Sequence, residues 1–159
     1  MRTIQKTIIA LFFIAPSMLM AQSKTTKALH EKYSDAFNLF FYNNTLKMMN
    51  QTDSEEFDMI IRDIEKAKVL RLDKEKYSFG TAEYKQMVSD YQSDGFEEVV
   101  NMRQKEVKFN AFIKEKNGKT LGFVVLMEEE TSVYIVDIVG SVPLNELIAL
   151  SQKMKDFKF

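Results

Sequence analysis

From Phe96 to Gly140 the hydrophobic pattern settles to a period of two, and this stretch constrains the fold more than any other feature of the chain. Phe96–Arg103, Val107–Lys114, Thr120–Met127 and Val133–Gly140 each alternate apolar and polar residues or run almost wholly apolar, as strands with a buried face do. Asn117-Gly118 is the strongest turn signal present. That dipeptide suits a two-residue turn whose central residues need positive φ, so the second and third strands are expected to form a hairpin. Glu128-Glu129-Glu130-Thr131 is polar enough to turn the third strand into the fourth. Four consecutive strands joined by short turns make an antiparallel meander.

Upstream the period changes to that of helices. Thr52 and Glu55 fit a capping box, and Phe57, Ile60, Ile61 and Ile64 recur at i, i+3, i+4, i+7, which predicts an amphipathic helix over Thr52–Lys66. Lys68–Asp73 reads as a strand. Tyr84, Met87, Val88 and Tyr91 predict a second helix over Thr81–Ser93, with Gly95 placed to stop it. Lys24–Ser34 suits a surface helix. Phe37–Tyr42, short and ended by Asn43-Asn44, reads as a strand, against a competing helix from Ala28 through Met49. A closing helix is expected over Ser141–Lys155, with Pro143 in its first turn. The expected class is therefore α+β: a mixed, largely antiparallel five- or six-stranded sheet with helices packed on one face and the other face partly open.

The amino terminus has a different character. Arg2 and Lys6 precede an apolar run from Ile8 to Met20, and small Ala21 follows before the chain turns polar at Gln22-Ser23-Lys24. Charged, apolar, then small is the order of a cleavable signal peptide. The run of thirteen residues is shorter than the ~20 that span a bilayer as a helix. Residues 1–21 are thus expected to be removed, and residues 22–159 to form one α+β domain, exported to the periplasm or beyond. The sequence contains no Cys, so it has no disulfide, no thiolate and no lipidated Cys to anchor it. Residues 22–159 carry 20 basic and 23 acidic side chains, a net of −3, with no basic field for nucleic acid and no polybasic membrane patch.

Candidate chemistry is sparse. His30, the one histidine, has no second His or Cys to complete a metal site, and its bland reading is a solvated surface residue. Neither a G-x-S-x-G elbow nor a phosphate-binding glycine loop occurs. Glu97 and Glu98 are adjacent on a strand and point to opposite faces, so they cannot share a pocket. Glu128-Glu129-Glu130 lacks the Asp/Asn/Gly alternation of a calcium loop and reads as a solvated turn. Asp137 interrupts the apolar strand Val133–Val139 on the face of Val133 and Ile135; either it is buried and paired, or that face is open, which the sequence favours. The aromatics Phe37, Phe40, Phe41 and Tyr42 could bind sugar or peptide, but core packing is the stronger reading, as it is for Met48-Met49. No residue is assigned as catalytic, cofactor-binding or metal-binding, and no cofactor is expected.

One resemblance supplements this. Tyr84…Tyr91, Gly95-Phe96-Glu97-Glu98-Val99-Val100, Val107 through Lys119, Leu121–Leu126, Tyr134–Gly140 and Val142-Pro143-Leu144-Asn145-Glu146-Leu147 together resemble the exported bacterial family called domain of unknown function 4252. The likeness implies a fold and a compartment and brings no catalytic residues with it. The expectation is a non-enzymatic cell-envelope domain that binds a protein or small ligand. The alternatives are a small hydrolase with a carboxylate pair assembled from distant strands, such as Glu97 and Asp137, and a structural component of an envelope assembly.

Overall fold

In the computed structural model the alternating second half folds as its pattern predicts, and the structure describes residues 22–51 and 53–142. Strands β3 (Glu97–Gln104), β4 (Val107–Lys116), β5 (Lys119–Glu128) and β6 (Ser132–Gly140) follow one another as a meander. At the β4–β5 hairpin, Asn117 (φ 53°) and Gly118 (φ 71°) both take the left-handed region that a two-residue turn of this hand requires. The expected signal segment and the closing helix beyond Val142 lie outside the described residues.

The first half supplies helices α1 (Lys24–Lys32), α2 (Asn43–Met49), α3 (Glu55–Ile61) and α4 (Thr81–Ser93), and strands β1 (Phe37–Tyr42) and β2 (Ile64–Asp73). All six strands join one sheet in the order β1-β2-β6-β5-β4-β3. The class is α+β as expected, and every pairing is antiparallel, so the sheet is not mixed. The reason is topological: β2 follows β1 in the opposite direction, and the late strand β6 then inserts beside β2 antiparallel to it.

Two apolar clusters lie on opposite sides of the sheet. On one, α4 contributes Tyr84, Met87 and Tyr91, which pack with Phe96 and with Leu70, Leu72, Phe112, Val124, Leu126, Val133 and Ile135 of the strands. Each such side chain, fully buried, stabilises the fold by about 1.5–3 kcal/mol. The second side is not bare. Phe109, Ala111, Phe123, Val125, Val136 and Ile138 are buried there, together with Ile60 and Ile61 of α3 and with Val142. Helices therefore contribute to both sides, because the apolar edge of α3 needs a partner surface as much as that of α4 does.

The helix expected over Thr52–Lys66 is cut short. Ser54, not Thr52, caps α3 by accepting from Phe57 N–H, and Ile64 already belongs to β2. Gly140 explains the early stop. Its φ of 123° and its approach to Asp63 let β6 pass so close that a Cβ would lie 2.1 Å from the Asp63 carbonyl oxygen. Ser141 N–H then donates to that same carbonyl at 3.0 Å. The Asp63 carbonyl, which a helix running on would bond to Ala67 N–H, is taken instead by the end of β6.

Candidate functional site

The densest buried polar group lies under α1, where β6 carries Asp137 and β2 carries Lys66 and Lys68 on the same side of the sheet as α4. Ser23 begins α1 by accepting from Thr26 N–H at 3.0 Å, a helix N-cap that leaves the first-turn amides facing the sheet. Two carboxylates meet that turn. Asp94, just past α4, accepts from Thr25 N–H (2.7 Å), Thr25 Oγ1 (2.8 Å) and Ser23 Oγ (3.1 Å). Asp137 accepts from Ser23 N–H at 3.3 Å. Negative charge at a helix N-terminus is favourable, and Asp94, held below its usual range, supplies it to α1.

Asp137 corrects the sequence expectation. Its face is closed by α1, and the residue is 2% exposed. Burial pushes its carboxyl up to about 6, against the opposing effects of the Thr26 hydroxyl, the Ser23 N–H, Lys66 and Lys68. Its Oδ1 has no hydrogen-bond partner among the described residues. Lys68 is buried beside it in register, with its ammonium 4.6 Å from the Phe40 ring centroid. Burial lowers the Lys68 pKa, while Asp137 and Glu31 act to raise it. Behind these, the Thr26 and Tyr91 hydroxyls lie 2.9 Å apart, and burial drives the Tyr91 phenol far above its usual range. Burial also works to raise Asp94, but its bonds from Thr25 and Ser23 and the charge of Lys114 outweigh it and hold the carboxyl below the usual range.

His30, expected to be solvated, is half-buried in the last turn of α1. Its Nδ1 is buried without a hydrogen-bond partner among the described residues, and its ring meets Phe40 edge-on at 6.1 Å. No three His, Cys, Asp or Glu side chains cluster as metal ligands among the described residues.

The other carboxylates that the sequence singled out, among the described residues, do not join this group. Glu97 and Glu98 face opposite sides, as the strand period demands, with Glu98 bonded by Asn101 and Asn110. Asn110 also accepts from the Tyr84 hydroxyl at 2.6 Å, which satisfies a polar side chain only 1% exposed. Glu98 and Asp137 occupy one row across the sheet, but Phe112 and Val124 stand between them. Three interstrand steps put their backbones roughly 14 Å apart. Glu128 is tied to Lys74 at 3.0 Å, and Lys74 also donates to the Glu129 carbonyl, so the expected solvated turn is clamped to the end of β2. A depression of about 330 Å³ beside the β3–β4 turn has Glu106, Glu129 and Lys105 on its rim and no buried polar side chain in it.

The aromatic strand corrects a second expectation. Phe37–Tyr42 is a strand, β1, but it is an edge strand, so Phe37 (49% exposed), Phe40 and Tyr42 (63%) stand in solvent instead of the core. Met48 and Met49 of α2 and Met59 of α3 are exposed as well, and α2 contacts both β1 and α3. The two edges of the sheet differ. β3 carries Glu97, Glu98 and Arg103 and is bulged between Glu98 and Val100, whereas β1 has no charge, no proline and an unbroken register against β2. Charge and bulges are how an edge is protected from pairing, and β1 has neither. The sequence carries no signal of this, because Phe-Asn-Leu-Phe-Phe-Tyr is apolar at both parities just as the central strands β5 and β6 are.

The model of the family described as domain of unknown function (DUF4252) matches residues 30–150, and the chain belongs to that family. The chain matches no curated protein and no solved structure. Among the described residues no helix is long and apolar enough to cross a membrane.

Proposed function

We propose that this chain is an exported, non-enzymatic binding domain of the cell envelope, and that it holds a partner polypeptide by adding the partner's extended segment to β1. The observation that carries the reading is the contrast between the two sheet edges. Among the described residues no strand pairs with the outer side of β1, and Phe37, Phe40 and Tyr42 are exposed on both of its faces, while β3 is charged and bulged. Strand addition draws affinity from main-chain hydrogen bonds and specificity from alternate side chains, and aromatics on both sides of an edge suit it. The methionines at 48, 49 and 59 extend the apolar surface beside the edge, and Met side chains adapt to varied partners. Glu97 lies on the opposite face of the sheet from Asp137, which weighs against the pair that the hydrolase alternative would use.

The test is retention of a partner from an envelope extract of the native host by the immobilised mature chain. The double variant Phe37→Lys/Tyr42→Lys should lose the partner, and Met102→Lys, at an exposed apolar residue on β3, should keep it. Retention that survives the β1 variant, or that fails equally with Met102→Lys, contradicts the reading. A band consisting only of further copies of this chain points instead to self-assembly.

A further inference from the structure

The group under α1 is built around a charge that the peptide bond before Gln22 suppresses. Asp137 is almost wholly buried, one of its oxygens has no partner among the described residues, and the other takes a hydrogen bond from Ser23 N–H at 3.3 Å. Gln22 is the next residue back. Its side-chain oxygen accepts from Lys66 Nζ at 3.4 Å, which fixes it on this side of the sheet. Successive backbone nitrogens are at most about 3.7 Å apart, so the Gln22 nitrogen lies within about 7 Å of the Asp137 carboxylate. In the unprocessed chain that nitrogen is a neutral amide. The signal-peptide pattern places the cut between Ala21 and Gln22, which would turn it into an α-ammonium.

We propose that removal of the segment ending at Ala21 sets the new α-ammonium of Gln22 against the Asp137 carboxylate, so that processing completes a buried charge pair that the precursor lacks. The inference rests on the export reading above. The groups facing Asp137 are consistent with a missing cation. From β2 come Lys66, engaged with Gln22, and Lys68, whose ammonium lies over Phe40; from α1 come the Ser23 N–H and the Thr26 hydroxyl; from the α4 side come neutral Tyr91 and the acid Asp94. Neither lysine forms an ion pair with Asp137. A carboxylate left in that setting weakens the folded state, because a buried charge without a close partner is unfavourable. The precursor is then less stable than the product, which suits a chain that must stay unfolded until it has crossed a membrane.

The experiment uses the product that a host secretes from the full chain, with amino-terminal sequencing to establish where it begins. Half is acylated selectively at the α-amine, and urea unfolding is followed for both halves in wild type and in Asp137→Asn. Cyclisation of Gln22, in which the α-amine displaces ammonia from the side-chain amide, removes the same charge and serves as a second blocked form. The inference expects a product beginning at Gln22 whose folding equilibrium constant falls roughly tenfold on blocking, as one unit of pKa coupling requires, with no fall in Asp137→Asn. Its α-amine should also titrate above the ordinary ~8. A product that begins at Gln22 but is indifferent to blocking, or equally sensitive in Asp137→Asn, overturns the inference and leaves export intact. A chain that is cut elsewhere overturns the inference and leaves export intact, whereas one that is never cut overturns the export reading from which it starts.

Discussion

Replacing Asp137 by Asn in the full 159-residue chain isolates the energetics of the site under α1. With Gln22 still amide-linked, the Asp137 carboxyl is raised by burial from 3.8 to about 6. A carboxyl whose pKa is raised on folding binds its proton more tightly in the native state, so its contribution is fully present below the unfolded value and is lost as pH rises through the folded one. The difference of about two units, at 1.36 kcal/mol each, sets that loss at about 3 kcal/mol between pH 4 and pH 7. Asn has nearly the same shape, keeps an oxygen for the Ser23 N–H and does not ionise. The variant should therefore match wild type near pH 4 and exceed it by up to about 3 kcal/mol at pH 7. Urea unfolding at a series of pH values measures the difference, and the other acids, Asp94 among them, cancel because they titrate in both proteins. A difference that does not vary with pH, or a variant less stable than wild type at pH 7, refutes the reasoning.

Other outcomes follow from the same geometry. Gly140→Ala adds a Cβ 2.1 Å from the Asp63 carbonyl oxygen at a φ of 123°, so thermal unfolding should show a loss of about 3 kcal/mol or more. Asp94→Ala removes the acceptor of three hydrogen bonds to the first turn of α1 and should cost about 2–3 kcal/mol, with faster amide exchange in α1 than in α4. Because the Asp94 carboxyl is held below its usual range, its stabilisation is present above the unfolded value and disappears as pH falls through the folded one, which acid unfolding of wild type against the variant should reveal. Phe112→Ala empties a fully buried site between α4 and the sheet and should cost about 3–5 kcal/mol in chemical unfolding.

The sequence revealed the elements whose patterns are local. The meander was legible from its period and from Asn117-Gly118, and α4 spans Thr81–Ser93 as expected because its apolar face and the stop at Gly95 both lie within a few turns. Thr52–Lys66 misled because Ile64 continues the helical spacing of Phe57, Ile60 and Ile61, while the turn that ends α3 is imposed by Gly140, distant in sequence. Asp137 was placed on the correct side of its strand, but its cover was invisible. The polar run Lys24–Lys32 buries Thr25 and Thr26, together with its cap Ser23, more fully than its one core-facing apolar side chain, Leu29, and Asp94 and Asp137 accept hydrogen bonds from this first turn. The exposure of Phe37, Phe40 and Tyr42 depends on which strand ends up at the edge. That order was decided when β6 took the place beside β2, which no local pattern records.

The central claim is that β1 is an open edge that a partner completes, and amide hydrogen exchange along that strand tests it most directly. In an antiparallel edge strand about half the amides bond to the neighbouring strand and the rest point outward to water. In the protein alone, the amides of Phe37–Tyr42 should therefore fall into a slow and a fast set. The account predicts that the retained partner slows the fast set and leaves β3 unchanged. Protection confined to β3 or to the helices, with the outward amides of β1 exchanging as before, would contradict it.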